Sequence, residues 1–210
     1  MKVKQNYPYD ASRAVRTLRK NDPALAVLID RVGPYGLRLR DNKTPFQALL
    51  QSVVYQQLSG KSAAAIHNRM LNLFPHRYAS PKRLLALHNS RLLDAGLSRA
   101  KAASVNDLAA RCVKGTVPRT RQLNSMPDDE VIACLQQIRG IGTWTAQMLL
   151  IFHLGRPDVL PAADLGVLKG FRMTYRLKDN PDPGVMLQHG ERWRPYRTVA
   201  TWYLWRANYL

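Results

Sequence analysis

The sequence predicts an all-α fold built as two helical lobes. Three observations carry that prediction: helix-start signals recur along the chain, apolar residues behind them fall at spacings of three and four, and only one short stretch alternates as a strand does. Asp22-Pro23 reads as an N-cap followed by proline at the first helical position. Thr44-Pro45-Phe46-Gln47 is a capping box with proline inside it. Behind it Phe46, Leu49, Leu50, Val53, Val54 and Leu58 share one face. The segment "SGKSAAAIHNRMLNLF" continues as a second helix until Pro75. Ser90 is placed to cap "RLLDA", with Gly96 ending it, and Ser98 starts a helix that reaches Cys112. Asp128, Asp129 and Glu130 occupy a first turn, where carboxylates suit the helix dipole, and Val131, Ile132, Leu135 and Ile138 form the apolar stripe behind them. The last helix, Pro195 to about Asn208, is rich in aromatics: Tyr196, Trp202, Tyr203 and Trp205. The one alternating stretch is "YGLRLRD", Tyr35–Asp41, while "RLKDNPDPGV", Arg176–Val185, reads as a loop from its prolines and glycine. A boundary between lobes is expected near "KGTVPRTRQLNSMPDD", where charge and proline interrupt the helices.

Lys and Arg number 32 against 14 Asp and Glu, a formal charge of +18. Such a charge says nothing about fold but directs partners. It favours a polyanion, either nucleic acid or an anionic membrane surface, and the plainer reading is a generally soluble basic surface. At 210 residues, 46% of them hydrophobic, the chain has enough apolar surface for one compact domain or two small lobes. No run of 18 apolar residues is present, and "MKVKQNYPYD" lacks the apolar stretch of a secretory signal. Cys112 and Cys134, the only cysteines, lie among apolar residues in helical patterns, the setting of small buried thiols. Two cysteines fall short of the four ligands that a structural zinc or an iron–sulfur cluster takes, and the five histidines form no pair at ligand spacing. The chain reads as intracellular, reduced and free of metal.

The stretch "IRGIGTWTAQMLLIFHLGRPDVLPAADLG" holds the features that point to chemistry. Helix 128–138, the turn Gly140-Ile141-Gly142 and helix 143–153 form two helices joined by a tight glycine hairpin. Glycine there opens dihedrals closed to other residues and lets the chain approach a partner closely. Amides of the turn and of the next helix start, including Thr143, would bind one phosphate without any lysine. A plain C-cap accounts for the same glycines equally well. Beyond the hairpin, Asp164 stands in "PAADLG", with Asp158 its nearest acidic neighbour in that stretch. It reads either as the cap of the helix "LGVLKGF" or as a working carboxylate, and the two roles are compatible.

These residues carry a family resemblance. "IRGIGTWTA" followed by "VLPAADLGVLKGF" is similar to the helix-hairpin-helix and Gly/Pro–Asp signature of DNA base-excision glycosylases. "FQALLQSVVYQQLSGKSAAAIHNRM" and "ERWRPYRTVATWYLW" resemble one branch, the 3-methyladenine DNA glycosylase II family, from about Asp22 to the C-terminus. Longer bacterial members carry an extra N-terminal β-rich domain; this chain resembles the compact form without it. The resemblance implies a single helix-hairpin-helix glycosylase unit with a base pocket between lobe A, approximately 1–40 plus 160–210, and lobe B, approximately 41–159 with hairpin 138–143. It implies double-stranded DNA containing alkylated bases as partner, no membrane, and a monomer. Location would be cytoplasmic and nucleoid-associated in a bacterium, or nuclear in a eukaryote.

The resemblance also assigns roles. Asp164 lies at the mouth of the base pocket as the catalytic carboxylate. Trp144 and Trp205 match pocket-lining positions, and Met148 and Leu165 fall where longer relatives carry tyrosines, which leaves the substrate range open. A tryptophan pair would hold an electron-poor purine by cation–π attraction; the plainer reading makes such aromatics core. Bifunctional relatives place a lysine nucleophile just after the hairpin, and that slot holds Trp144, which implies a monofunctional enzyme. Gln57 and Leu58 correspond to the gap contact and the apolar wedge, although Leu58 could equally end its helix stripe. Lys61, Arg99, Lys101 and Lys169 are candidate phosphate contacts. No catalytic metal or organic cofactor is implied, although a monovalent cation could bridge the hairpin carbonyls and a DNA phosphate. The expectation is thus a glycosylase that excises alkylated purines; the alternative is a non-catalytic helix-hairpin-helix DNA-binding protein, which would need neither Asp164 nor Trp144.

Overall fold

The computed structural model describes residues 7–40 and 43–210. Its α-helices are α1 (Ala11–Asn21), α2 (Pro23–Val32), α3 (Pro45–Tyr55), α4 (Gly60–Leu71), α5 (Pro81–Leu85), α6 (Asn89–Asp94) and α7 (Arg99–Val113), followed by α8 (Thr120–Ser125), α9 (Asp128–Gln136), α10 (Thr143–Phe152), α11 (Leu165–Thr174), α12 (Pro183–Gly190) and α13 (Arg197–Ala207). No strand occurs among the described residues, so the fold is all-α. None of these helices is long and apolar enough to cross a membrane.

The caps explain most of the helix starts. Asp22 accepts from the Leu25 amide with Pro23 behind it, Thr44 and Gln47 complete their reciprocal box, and Ser59 and Ser98 each cap the helix that follows. Helix α6 differs from expectation: its N-cap is His88, whose ring nitrogen accepts from the Ser90 amide, so Ser90 lies inside the helix. Asp182-Pro183 repeats the Asp22-Pro23 signal and opens α12 within the stretch expected to be loop. Tyr35–Arg40 has no regular secondary structure and pairs with no strand. Its alternation is one of packing, since Leu37 is buried while Gly36 and Arg38 are exposed, and the Tyr7 hydroxyl donates to the Leu37 carbonyl at 2.7 Å. Asp41, the last residue of that expected strand, lies outside the described residues.

The chain divides into two compact units, one of residues up to Leu39 together with Leu150–Leu210, the other Arg40–Leu149. The proline-rich stretch around 114–129 is therefore not a boundary; it carries α8 inside the second unit, where Leu123 is fully buried. In the first unit, Leu18, Leu25, Phe171, Trp193, Tyr203 and Leu204 belong to one core. Helices α11 and α13 approach closely at Gly170, where a Cβ would stand only 1.9 Å from the Leu204 carbonyl oxygen. Beside that core Asp22 is buried, and its Oδ2 accepts from Tyr175 Oη (2.5 Å) and Trp193 Nε1 (2.8 Å) and lies 3.1 Å from His189 Nε2. Burial works to raise the Asp22 pKa, but hydrogen bonds from His189, Tyr175, the Leu25 amide and Trp193 outweigh it and hold the carboxyl well below its usual range. In the second unit α7 packs against α3, α5 and α6, and Val105, Leu108 and Ala109 are fully buried. Cys112 and Cys134 are half-buried rather than core thiols; burial still pushes Cys112 up to about 11.

Candidate active site

In the first unit the site is built from the segment leading to α11 and from α13. The start of α13 tethers that segment. Arg197 donates through Nε to Asp158 Oδ1 (2.8 Å) and through a terminal nitrogen to the Asp158 carbonyl (3.0 Å). Thr198, fully buried, donates to the Arg156 carbonyl (2.6 Å) and accepts from the Val159 amide (3.0 Å). These bonds fix an irregular stretch that has no helix or sheet to satisfy its backbone. Asp164 ends it as the N-cap of α11: its Oδ1 accepts from the Val167 amide at 2.9 Å.

The same oxygen accepts from Trp205 Nε1 at 2.8 Å, so the indole of α13 and the first turn of α11 both orient the carboxylate. The Asp164 residue is half-buried. Gly166 makes room, since a Cβ there would meet both Asp164 Oδ1 and Trp205 Cδ1 at 3.1 Å. The Trp205 ring also stacks on Phe152, with centroids 5.6 Å apart and planes at 14°. One face of this indole is thereby covered by protein, so its observed contacts make it a clamp on Asp164 as well as a candidate wall. Phe152 went unnoticed in the sequence, though it continues the spacing of four from Trp144 through Met148. Leu165 is 76% exposed at the head of α11, and Lys169 is exposed one turn later.

In the second unit α9, the turn Gln137–Gly142 and α10 form the hairpin. Ile138 and Ile141 are buried and plug the turn inward, which leaves Gly140, Gly142 and Thr143 exposed. Gly140 has φ +73, the left-handed region, and its missing Cβ would lie 2.3 Å from Ser104 Oγ. Gly142 is different: its φ is not left-handed and open space surrounds the position of a Cβ, so its value is access, not a special dihedral. The first amides of α10 have no acceptor within the helix. An exposed turn ending in such amides suits a phosphate oxygen. Trp144 in that first turn is 37% exposed, and Met148 one turn on is buried.

Helix α3 stops at Tyr55, so Leu58 does not complete its buried stripe. Leu58 is 39% exposed, in the turn before α4, and Gln57 beside it takes φ +55. Of the expected phosphate contacts, Lys61 and Arg99 are exposed. Lys101 also turns inward: its Nζ donates to the carbonyls of Val54 and Gln56, at 2.8 Å each, and caps the C-terminal end of α3. Among the described residues no group of three or more His, Cys, Asp or Glu is placed to hold a metal ion.

Set against known proteins, residues 50–195 match the HhH-GPD superfamily of base excision DNA repair proteins. The DNA-3-methyladenine glycosylase 1 of Schizosaccharomyces pombe is 36% identical over 185 residues, 87% of this chain and 81% of that protein. Among solved structures, the S. pombe 3-methyladenine DNA glycosylase Mag1 in complex with abasic DNA superposes with a TM-score of 0.90 at 34% identity, covering 94% of this chain and 97% of that one. The DNA-3-methyladenine glycosidase of Bacillus halodurans gives 0.84 at 33% identity, covering 97% and 92%.

Proposed function

The chain belongs to the HhH-GPD superfamily of base excision DNA repair proteins, and from that premise we infer that it is a monofunctional glycosylase, which flips alkylated purines out of duplex DNA and hydrolyses their N-glycosidic bonds. The observation that carries this reading is the oriented carboxylate of Asp164, whose Oδ1 takes both the Val167 amide and the Trp205 indole N–H. A non-catalytic clamp would have no use for a carboxylate held from two directions.

The chemistry follows from charge. Rupture of the bond from C1′ to the base builds positive charge on the sugar, and a carboxylate about 4 Å away at an effective dielectric near 20 stabilises it by roughly 4 kcal/mol, about a thousandfold in rate. N3-methyladenine and N7-methylguanine are cationic before they leave, so each departs as a neutral base without a strong general acid. Water then adds to C1′ and releases a proton, leaving an abasic site. Trp144 occupies the position after the hairpin where bifunctional relatives carry lysine, and an indole forms no imine. Leu165 and Trp205, beside Asp164, serve as walls for the flipped base, with cation–π attraction from the indole favouring a cationic purine. The turn at Gly140–Thr143 grips a phosphate, Leu58 fills the gap and Gln57 contacts its edge, and exposed Lys61, Arg99 and Lys169 add long-range attraction to the backbone. Neutral carbonyls of the turn are also the donor type that a monovalent cation takes in bridging to phosphate.

The test is direct. Methylated duplex DNA is incubated with the protein, and the bases set free are separated and identified. Release of 3-methyladenine and 7-methylguanine with unbroken strands, and no adduct trapped by borohydride, is the expected result. No free base, or a trapped protein–DNA band, would remove the reading.

A further inference from the structure

One helix touches both of the second unit's proposed DNA-contacting turns. Along α7, Lys101, Ser104 and Asp107 recur at spacings of three and so share a face. Lys101 Nζ donates to the carbonyls of Val54 and Gln56, the last residues before the Gln57-Leu58 turn. Ser104 Oγ fills the space beside Gly140 that a Cβ would take, and Asp107 Oδ2 accepts from the Arg139 amide at 2.8 Å. The two turns are also joined directly. Gln56 Nε2 donates to the Gly140 carbonyl and to Thr145 Oγ1, each at 2.9 Å.

Gln57 makes this arrangement informative. A non-glycine residue at φ +55 persists only where its surroundings hold it, and the carbonyl just before it is the one that Lys101 binds. The turn that presents Leu58 is thus fixed in a conformation it would not keep alone, and it is fixed to the hairpin. Resting on the glycosylase reading above, we propose that Lys101 and Gln56 are positioning residues: they set the reach between the phosphate held at the hairpin and the Leu58 side chain that enters the duplex. A wedge on a loose turn would have to be ordered at the moment of insertion, whereas a wedge locked to the phosphate grip arrives in register, which favours extrusion of the base over mere binding.

The experiment uses the full chain and two readouts. The first is single-turnover release of 7-methylguanine from a fully paired duplex and from a bulge where the lesion is unpaired. The second is fluorescence of 2-aminopurine placed beside the lesion, which rises when the stack opens. Gln56→Ala removes only an amide and leaves no buried charge, while Lys101→Met removes both carbonyl bonds. Each should lower the ratio of paired to bulged release by about tenfold, the size of effect one hydrogen bond commands, and slow the fluorescence rise to match. Lys101→Arg, which keeps donors for the two carbonyls, should recover most of the ratio.

Equal losses on both substrates, or an unchanged fluorescence rise in folded Gln56→Ala, would overturn the proposal. Melting curves identify any variant that fails to fold, and Gln56→Ala then carries the test. Wild-type protein that frees no base from either substrate would count against the glycosylase reading instead; the fluorescence comparison would still decide whether the tie governs stack opening.

Discussion

Replacing Gly140 by alanine should loosen the hairpin by an amount that the structure divides into two parts. The first is backbone strain: at φ +73 an L-residue costs about 1 kcal/mol more than glycine. The second is overlap, because the new Cβ would stand 2.3 Å from Ser104 Oγ and 3.1 Å from Ser104 Cβ, and forcing such a contact apart costs about 1–3 kcal/mol. The sum is roughly 2–4 kcal/mol. Ser104→Ala removes the nearer atom, so in that background the same substitution should cost about 1–2 kcal/mol less. Urea denaturation of the wild type, both single variants and the double variant measures this coupling as a cycle. A Gly140→Ala loss under about 0.5 kcal/mol, or no coupling to Ser104, would refute the claim that α7 fixes the hairpin's shape.

Asp22→Asn should cost roughly 3 kcal/mol at neutral pH, because an amide nitrogen would face the donors of Tyr175 and Trp193. Since the folded-state pKa is depressed, the stability this carboxylate supplies is present above the ordinary value near 4 and is lost as pH falls below it toward the depressed value; the unfolding free energy from urea titrations should therefore fall more between about pH 5 and 3 for the wild type than for the variant. Gly170→Ala should cost at least about 3 kcal/mol, since backbone atoms of Leu204 lie 1.9–2.7 Å from the added Cβ and neither helix can yield alone. Melting measures the loss, and a variant as stable as wild type would mean that α11 and α13 are not so closely packed.

What could be read from the sequence was local. Asp22-Pro23, Thr44 through Gln47, Ser98 and Asp164 all cap helices through bonds that span three residues, a distance visible in any window of the chain. The Tyr35–Arg40 alternation was a true burial pattern, but burial on one side does not say whether a strand partner exists, and here a tyrosine hydroxyl takes that place at Leu37. The candidate site was legible in its residue types and not in its connections. Trp205 reaches Asp164 across 41 positions, Lys101 reaches Gln56 across 45, and Gln56 reaches Gly140 across 84. A lysine on a basic chain looks like a phosphate contact, and nothing in its sequence neighbourhood shows that Lys101 holds two carbonyls of a distant segment. The Asp22 cluster was hidden for the same reason, since its partners lie more than 150 residues away.

The central claim is that Asp164 works through its charge and not only through its cap. Asparagine separates the two, since its side-chain oxygen can still accept from the Val167 amide and Trp205 Nε1 and it caps helices as well as aspartate does. Single-turnover excision of 7-methylguanine by Asp164→Asn should therefore fall about a thousandfold, while its unfolding free energy stays within about 0.5 kcal/mol of wild type and abasic DNA is still bound. A folded Asp164→Asn protein that excises at the wild-type rate would contradict the account.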